Sequence, residues 1–233
     1  REVLGLRGVG FDIVTFAIWK PNVNKLSAES KHLVDGSFYV FPISWPRFIA
    51  AHLYFFITRP LRYLSTLLFV LTRKGESIAN RRRTFFHFFE AICLALDAKR
   101  KGVKHIHAHF TANAATVALI IARMLNISFS LTAHNTFFTD RVVLKEKLKA
   151  AKFIIAISRY SQDFLVQYLP EEELKDKSHI VHCGISPDDF VPATHKATNQ
   201  SPLIFSISQF AERKGFPVLL KACKILAERG VDF

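Results

Sequence analysis

Residues 105–110 read HIHAHF, three histidines at alternate positions. Imidazoles spaced by two offer either a metal-binding set or a row of hydrogen-bonding groups, because an extended strand sends every second side chain to the same face. The spacing permits both. A three-histidine zinc centre also needs an acid to activate water and groups to orient the ligands. No acid accompanies these residues locally, so no metal is expected. Thr111, Ala112, Asn113 and an alanine-rich stretch follow His109. A helix opening there presents unpaired N–H groups and a partial positive charge, which suit a phosphate or a sugar hydroxyl.

Three further stretches place polar groups at the same kind of junction. In SLTAHNTFF (130–138) an apolar run ends at His134, with Asn135 and Thr136 after it. In IAISRYSQDF (155–164) Ser158 and Arg159 stand where a strand gives way to a helix, and Ser158 equally suits a plain helix cap. ISQFAERKGF (207–216) places Arg213, Lys214 and Gly215 in a turn before a helix. Cations held there suit a diphosphate, Lys as a point charge and Arg as a fork; a solvated basic turn is the plainer alternative.

The elements that would position these residues follow from periodicity. FDIVTFAIW (11–19) and SFYVFPI (37–43) read as strands, and helical spacing runs through 46–57, 60–73 and 77–98. From residue 103 the pattern alternates: strand 103–109, helix 113–125, strand 128–133, short helix 141–150, strand 153–158, helix 159–169, strand 178–182. Such alternation predicts an α/β fold with a parallel sheet covered on both faces, whose ligand crevice lies at the carboxyl ends of the strands. His109, His134 and Ser158 all fall at those ends. The polar run 192–202 breaks the pattern. The predicted organisation is therefore a first domain over 1–192, a linker over 193–202 and a second domain from 203 to 233, with a strand at 203–209, a helix from Phe216 to Gly230 and a further strand beginning at VDF.

The chain has 233 residues, half of them hydrophobic, enough for a sizeable core. Its formal charge of +13 favours an anionic partner, whether nucleic acid, acidic lipid headgroups or a phosphorylated substrate. Aromatic residues interleaved with Arg81–Arg83 match no nucleic-acid-binding motif, and none is expected to bind. Three scattered cysteines without a CxxC, and no signal-peptide pattern, predict a cytoplasmic location. Arg59, Pro60 and Arg62 interrupt the most lipid-like stretch, 51–72, before it could span a bilayer. Its two short helices could face a protein core or lie on a membrane surface, the latter placing the chain peripherally at the inner face of the plasma membrane.

Taken in order, HIHAHF, SLTAHNTFF, IAISRYSQDFL, IVHCGISPDDFVP and SISQFAERKGFPVLLKA resemble the family 4 glycosyltransferases of GT-B architecture, nearest to the bacterial enzymes that build exopolysaccharide, colanic acid and lipopolysaccharide. The resemblance implies two Rossmann-like domains facing a cleft, and a retaining, metal-independent transfer from a UDP- or GDP-sugar to a glycan or lipid-linked acceptor. It assigns the donor side to Ser208, Gln209, Arg213 and Lys214, and the acceptor side to His109, Asn135, Ser158 and Arg159. Lys214 matches the diphosphate-binding lysine, His134 the histidine near the reacting carbon, and Gly184 the glycine of the segment crossing between domains.

Several positions depart from that pattern. Gln209 stands where the family usually has arginine, Phe137 where it commonly has an acid, and Ser186 where it has an aspartate. The resemblance also expects a strand before residue 1 and, beyond residue 233, most of the second domain with its paired glutamates. On this reading the chain is a fragment, and a degenerate, non-catalytic glycan- or partner-binding protein is the alternative.

Overall fold

The computed structural model describes residues 2–73, 75–185, 187–190 and 202–233. The chain divides into two compact units, 1–183 and 184–233.

The first unit is α/β and Rossmann-like. Its strands are β1 (Thr15–Trp19), β2 (Ser37–Phe41), β3 (His105–His109), β4 (Ser128–Ala133), β5 (Phe153–Ala156) and β6 (Ser178–Ile180). All pairings are parallel: β1 with β2, and a four-stranded sheet in the order β3-β4-β5-β6. Between β2 and β3 come the helices α3 (Trp45–Thr58), α4 (Pro60–Thr72) and α5 (Ile78–Arg100), close to the expected spans. Sequence punctuation sets their ends. Pro46 and Pro60 sit in first turns, where the missing N–H costs nothing, and Arg59, restricted by the proline after it, closes α3. Ser77 caps α5 by accepting from the Asn80 N–H at 3.2 Å.

The core forms where α6 (Asn113–Leu125) lies against β3, β4 and α5. Nearly every α6 side chain is buried, and fully burying one such as Ile120 contributes about 1.5–3 kcal/mol. Asn126 in the left-handed region ends the helix.

Four expectations need correction. The helix expected over 159–169 is shorter, α8 (Arg159–Leu165): past it Gln167 and Tyr168 donate to the Phe164 and Leu165 carbonyls three residues back, and Pro170 cannot extend the turn; a separate α9 (Glu171–Lys175) follows. The short helix expected from 141 begins at Leu144, as α7 (Leu144–Ala150). Two short helices, α1 (Glu2–Gly8) and α2 (Ala28–Val34), were not expected. In the second unit, α10 (Phe216–Glu228) forms, but neither 203–209 nor VDF is a strand. A strand exists by pairing, and no described segment of that unit pairs with either. The linker expected over 193–202 lies, except for Pro202, outside the described residues.

Candidate functional site

In β3 the alternation works as two faces. Ile106 and Ala108 are buried in the core, while His105, His107 and His109 occupy the other face, half-buried. Register places His105 opposite Ser128, His107 opposite Ser130 and His109 opposite Thr132. A hydrogen-bonded ladder results. His105 reaches Ser128 Oγ and Ser130 Oγ, each at 2.7 Å, and His107 reaches Ser130 Oγ at 2.7 Å and Thr132 Oγ1 at 2.9 Å.

Each hydroxyl and each neutral imidazole has one hydrogen to give, so this chain closes without conflict in either direction. An imidazolium would donate from both nitrogens, which the flanking hydroxyls can also accept, so burial rather than the bonding pattern favours the neutral rings. Burial, followed by the neighbouring His109, lowers the His107 pKa to about 4, and burial also lowers that of His105. The two mid-strand histidines are therefore satisfied structural groups.

The row changes character at the strand ends. His109 Nδ1 stands 3.4 Å from His134 Nε2, and the two rings stack with centroids 5.7 Å apart. Phe110, held at φ 67°, brings its ring centroid to 4.6 Å from that of His134. Facing nitrogens need one proton between them, so the pair is stable neutral or singly charged; burial first, then His109, lowers the His134 pKa. His109 Nε2 lies 3.3 Å from a Glu2 carboxylate oxygen. Glu2, His107 and His109 each bring a ligand atom within 4.8 Å of the others, but His107 already uses both nitrogens on hydroxyls.

Beside the pair, α6 opens without a side-chain cap at Ala112, leaving its first N–H groups for a ligand. Two ties hold this opening to the turn after His134. Thr111 Oγ1 and Thr136 Oγ1 are 3.1 Å apart, and Lys147, wholly buried in α7, donates to the carbonyls of Thr111 (2.6 Å), Ala112 (3.1 Å) and Val142 (2.8 Å). Burial lowers the Lys147 pKa to about 7. Sequence reasoning missed this residue. The signal was its place between Leu144 and Leu148 on the apolar stripe of α7, where a lysine must find acceptors.

An open cavity of about 650 Å³ adjoins the same turn, lined by residues including Glu76, Asn80, Arg83, Phe138, Asp140 and Arg141. Arg83 pairs with Asp140 at 2.6 Å. Although burial pushes the Asp140 carboxyl up, Arg83 and the Val142 N–H bring it below its usual range. Arg81, in the same basic run, donates to the Glu76 and Leu71 carbonyls. Two of the three arginines thus tie helices and loops together.

The structure brings His109 and His134 together at adjoining strand ends, with Asn135 exposed next to His134. Ser158 caps α8, accepting from the Ser161 N–H at 3.1 Å, and Arg159 is exposed in its first turn. Phe137 is fully buried against Phe138 and Phe164, with ring centroids 4.3 and 5.5 Å away. An acid there would have no partner, so the departure from the family pattern is a packing solution.

A family model, Glycosyltransferase Family 4, matches residues 42–189, well over half of the 233-residue chain. The chain belongs to this family. No curated protein matches it. As a family 4 glycosyltransferase domain, the first unit is of a kind that binds a sugar donor and an acceptor.

In the second unit, Arg213 and Lys214 lie in a single 3-10 turn, Glu212–Lys214, closed by Gly215 at φ 71°. Gln209 Oε1 accepts from Arg213 at 3.0 Å, and Ser208 is exposed. Phe210 and Phe216 stack across the turn with centroids 4.7 Å apart. The Lys214 side chain has no hydrogen-bond partner among the described residues, and α10 opens without a side-chain cap. Ser186 lies outside the described residues, and Gly184 is exposed.

Proposed function

We propose that the chain is the acceptor side, with the opening of the donor side, of a retaining GT-B transferase. It moves a hexose from a nucleotide-diphosphate sugar to a glycan or lipid-linked acceptor in cell-surface polysaccharide synthesis. The observation that carries this reading is the His109–His134 pair beside the uncapped start of α6, in a chain of glycosyltransferase family 4. On this reading the acceptor-side domain spans 1–192 and the donor-side domain opens at 203, with 193–202 as the linker.

The chemistry asks for stabilisation of a departing diphosphate and of positive charge on the sugar, which is electrostatic work. Lys214 and Arg213, beside the N-terminus of α10, take the diphosphate with Ser208 and Gln209. His134 sits against the reacting carbon, and His109, Asn135, Ser158 and Arg159 hold the acceptor. Transfer on this reading needs no metal.

Calorimetric titration with UDP, GDP and their sugars tests it. The expected result is binding of one nucleotide, weakened about tenfold or more by Lys214→Ala, since a charge-assisted hydrogen bond contributes about 1.5–3 kcal/mol. His134→Ala should leave that binding in place and abolish transfer. A second reading, a non-catalytic glycan-binding protein, is favoured by Gln209, which accepts from Arg213 instead of adding a cation, and by the buried Phe137. Glycan binding without affinity for any nucleotide or nucleotide sugar would establish the second reading over the first.

A further inference from the structure

Helices α3 and α4 are apolar on both sides. Ala51 and Phe55 of α3, and Thr66 and Val70 of α4, are buried. A helix on the surface of a soluble domain then turns polar residues outward. These two do not. On α3 the exposed row is Trp45, Ile49, Leu53 and Phe56, spaced by four, four and three. On α4 it is Leu61, Leu64, Leu68 and Leu71, spaced by three, four and three. Each row follows one helical face and lies across the helix from the buried pair. At 1.5 Å per residue each row runs about 15 Å, and the two helices pack side by side.

Charge says what covers this face. Residues 42–75 contain five basic residues, Arg47, Arg59, Arg62, Arg73 and Lys74, and no aspartate or glutamate; Arg47 pairs with Asp97 and Arg73 is buried against Thr84, so among the described residues Arg59 and Arg62 are the cations left to this surface. Arg62 is exposed at the start of α4, where its guanidinium reaches the Arg123 carbonyl at 3.4 Å, and Arg59 donates to the Met124 and Leu125 carbonyls. The whole chain carries +13. A broad aliphatic surface with a tryptophan at one end, basic residues alongside and no acid suits a layer of anionic headgroups over hydrocarbon. No helix among the described residues is long and apolar enough to cross a membrane, so the pair would lie on the bilayer.

We infer that the outward face of α3 and α4 docks on an anionic lipid bilayer. The face ends beside the candidate site. Leu71 closes its α4 row, its carbonyl accepts from Arg81 at 2.8 Å, and Gly75 and Glu76 a few residues on line the cavity next to the His134 turn. A docked chain therefore holds that cavity near the headgroups, where a lipid-linked acceptor presents its sugar or phosphate. This last purpose rests on the transferase reading; the docking itself does not.

Vesicle flotation of the whole chain tests it, with phosphatidylcholine alone and with phosphatidylcholine mixed with phosphatidylglycerol. The expected result is flotation with the anionic vesicles, release by high salt, and a fall of at least about tenfold in bound fraction for the exposed-face variant Leu53→Ser/Leu61→Ser/Leu64→Ser/Leu68→Ser. The control Val218→Ser/Leu220→Ser, exposed in the second unit, should float as before. In a Trp19→Phe background Trp45 is the sole tryptophan, and its emission should shift to the blue on anionic vesicles. Equal flotation of the four-site variant, or an unshifted Trp45, would overturn the proposal. So would a wild-type chain that ignores vesicles but self-associates until the four-site variant makes it monomeric. Docking without sugar transfer would leave this surface standing and count against the transferase reading alone.

Discussion

Ser130 serves two imidazoles with one hydroxyl, and this makes it the most heavily used small residue of the sheet. Ser130→Ala would leave His105 Nε2 and His107 Nδ1 without that partner and should cost about 1–3 kcal/mol in chemical denaturation. Ser128→Ala, at the more exposed end of the ladder, should cost less than about 1 kcal/mol. Phe137 carries a second prediction. Restoring the family's acid as Phe137→Asp places an unpaired carboxylate among Phe138 and Phe164, so it should destabilise the chain by about 3 kcal/mol or more in a thermal melt rather than restore anything. At this scale the sequence was partly legible. The alternate histidines announced a shared face, yet their partners came from β4, twenty-three or more residues away, and spacing within β3 cannot supply a register with another strand.

Elements were legible where the chain punctuates itself. Prolines at the starts of α3 and α4 and the Ser77 cap of α5 are local signals, so the three helices formed close to the expected spans. The second unit shows the opposite case. The apolar run 203–209 looks like a strand, but pairing decides strands, and that information does not reside in the run itself. What that unit does encode locally is the turn before α10. Gly215 stands at φ 71° with open space around it, so Gly215→Val meets no neighbour and is penalised by the backbone alone. We expect a loss of about 1–2 kcal/mol in stability of that turn, read as lower helicity of α10 by circular dichroism.

Over the whole molecule the histidines add up. Burial lowers the pKa of both His52 and His107 to about 4, and those of His105 and His134 also fall. The unfolded chain therefore binds more protons than the folded one between about pH 6.5 and about pH 4. The histidines' contribution to stability should be complete above that window and fall as the pH drops through it, so the urea midpoint should be lower at about pH 5 than at about pH 7.5; a flat profile would contradict the ladder's neutral state. The buried amine of Lys147 offers a different kind of signal. Burial lowers its pKa to about 7, and its three hydrogens are all spent on the Thr111, Ala112 and Val142 carbonyls, which seal it from solvent. An acylating reagent can reach it only when those loops part. The rate at which Lys147 is labelled, followed by mass spectrometry beside the exposed lysines, is then a clock for the opening of the very turns that hold His109 and His134, and a ligand seated between them should slow it.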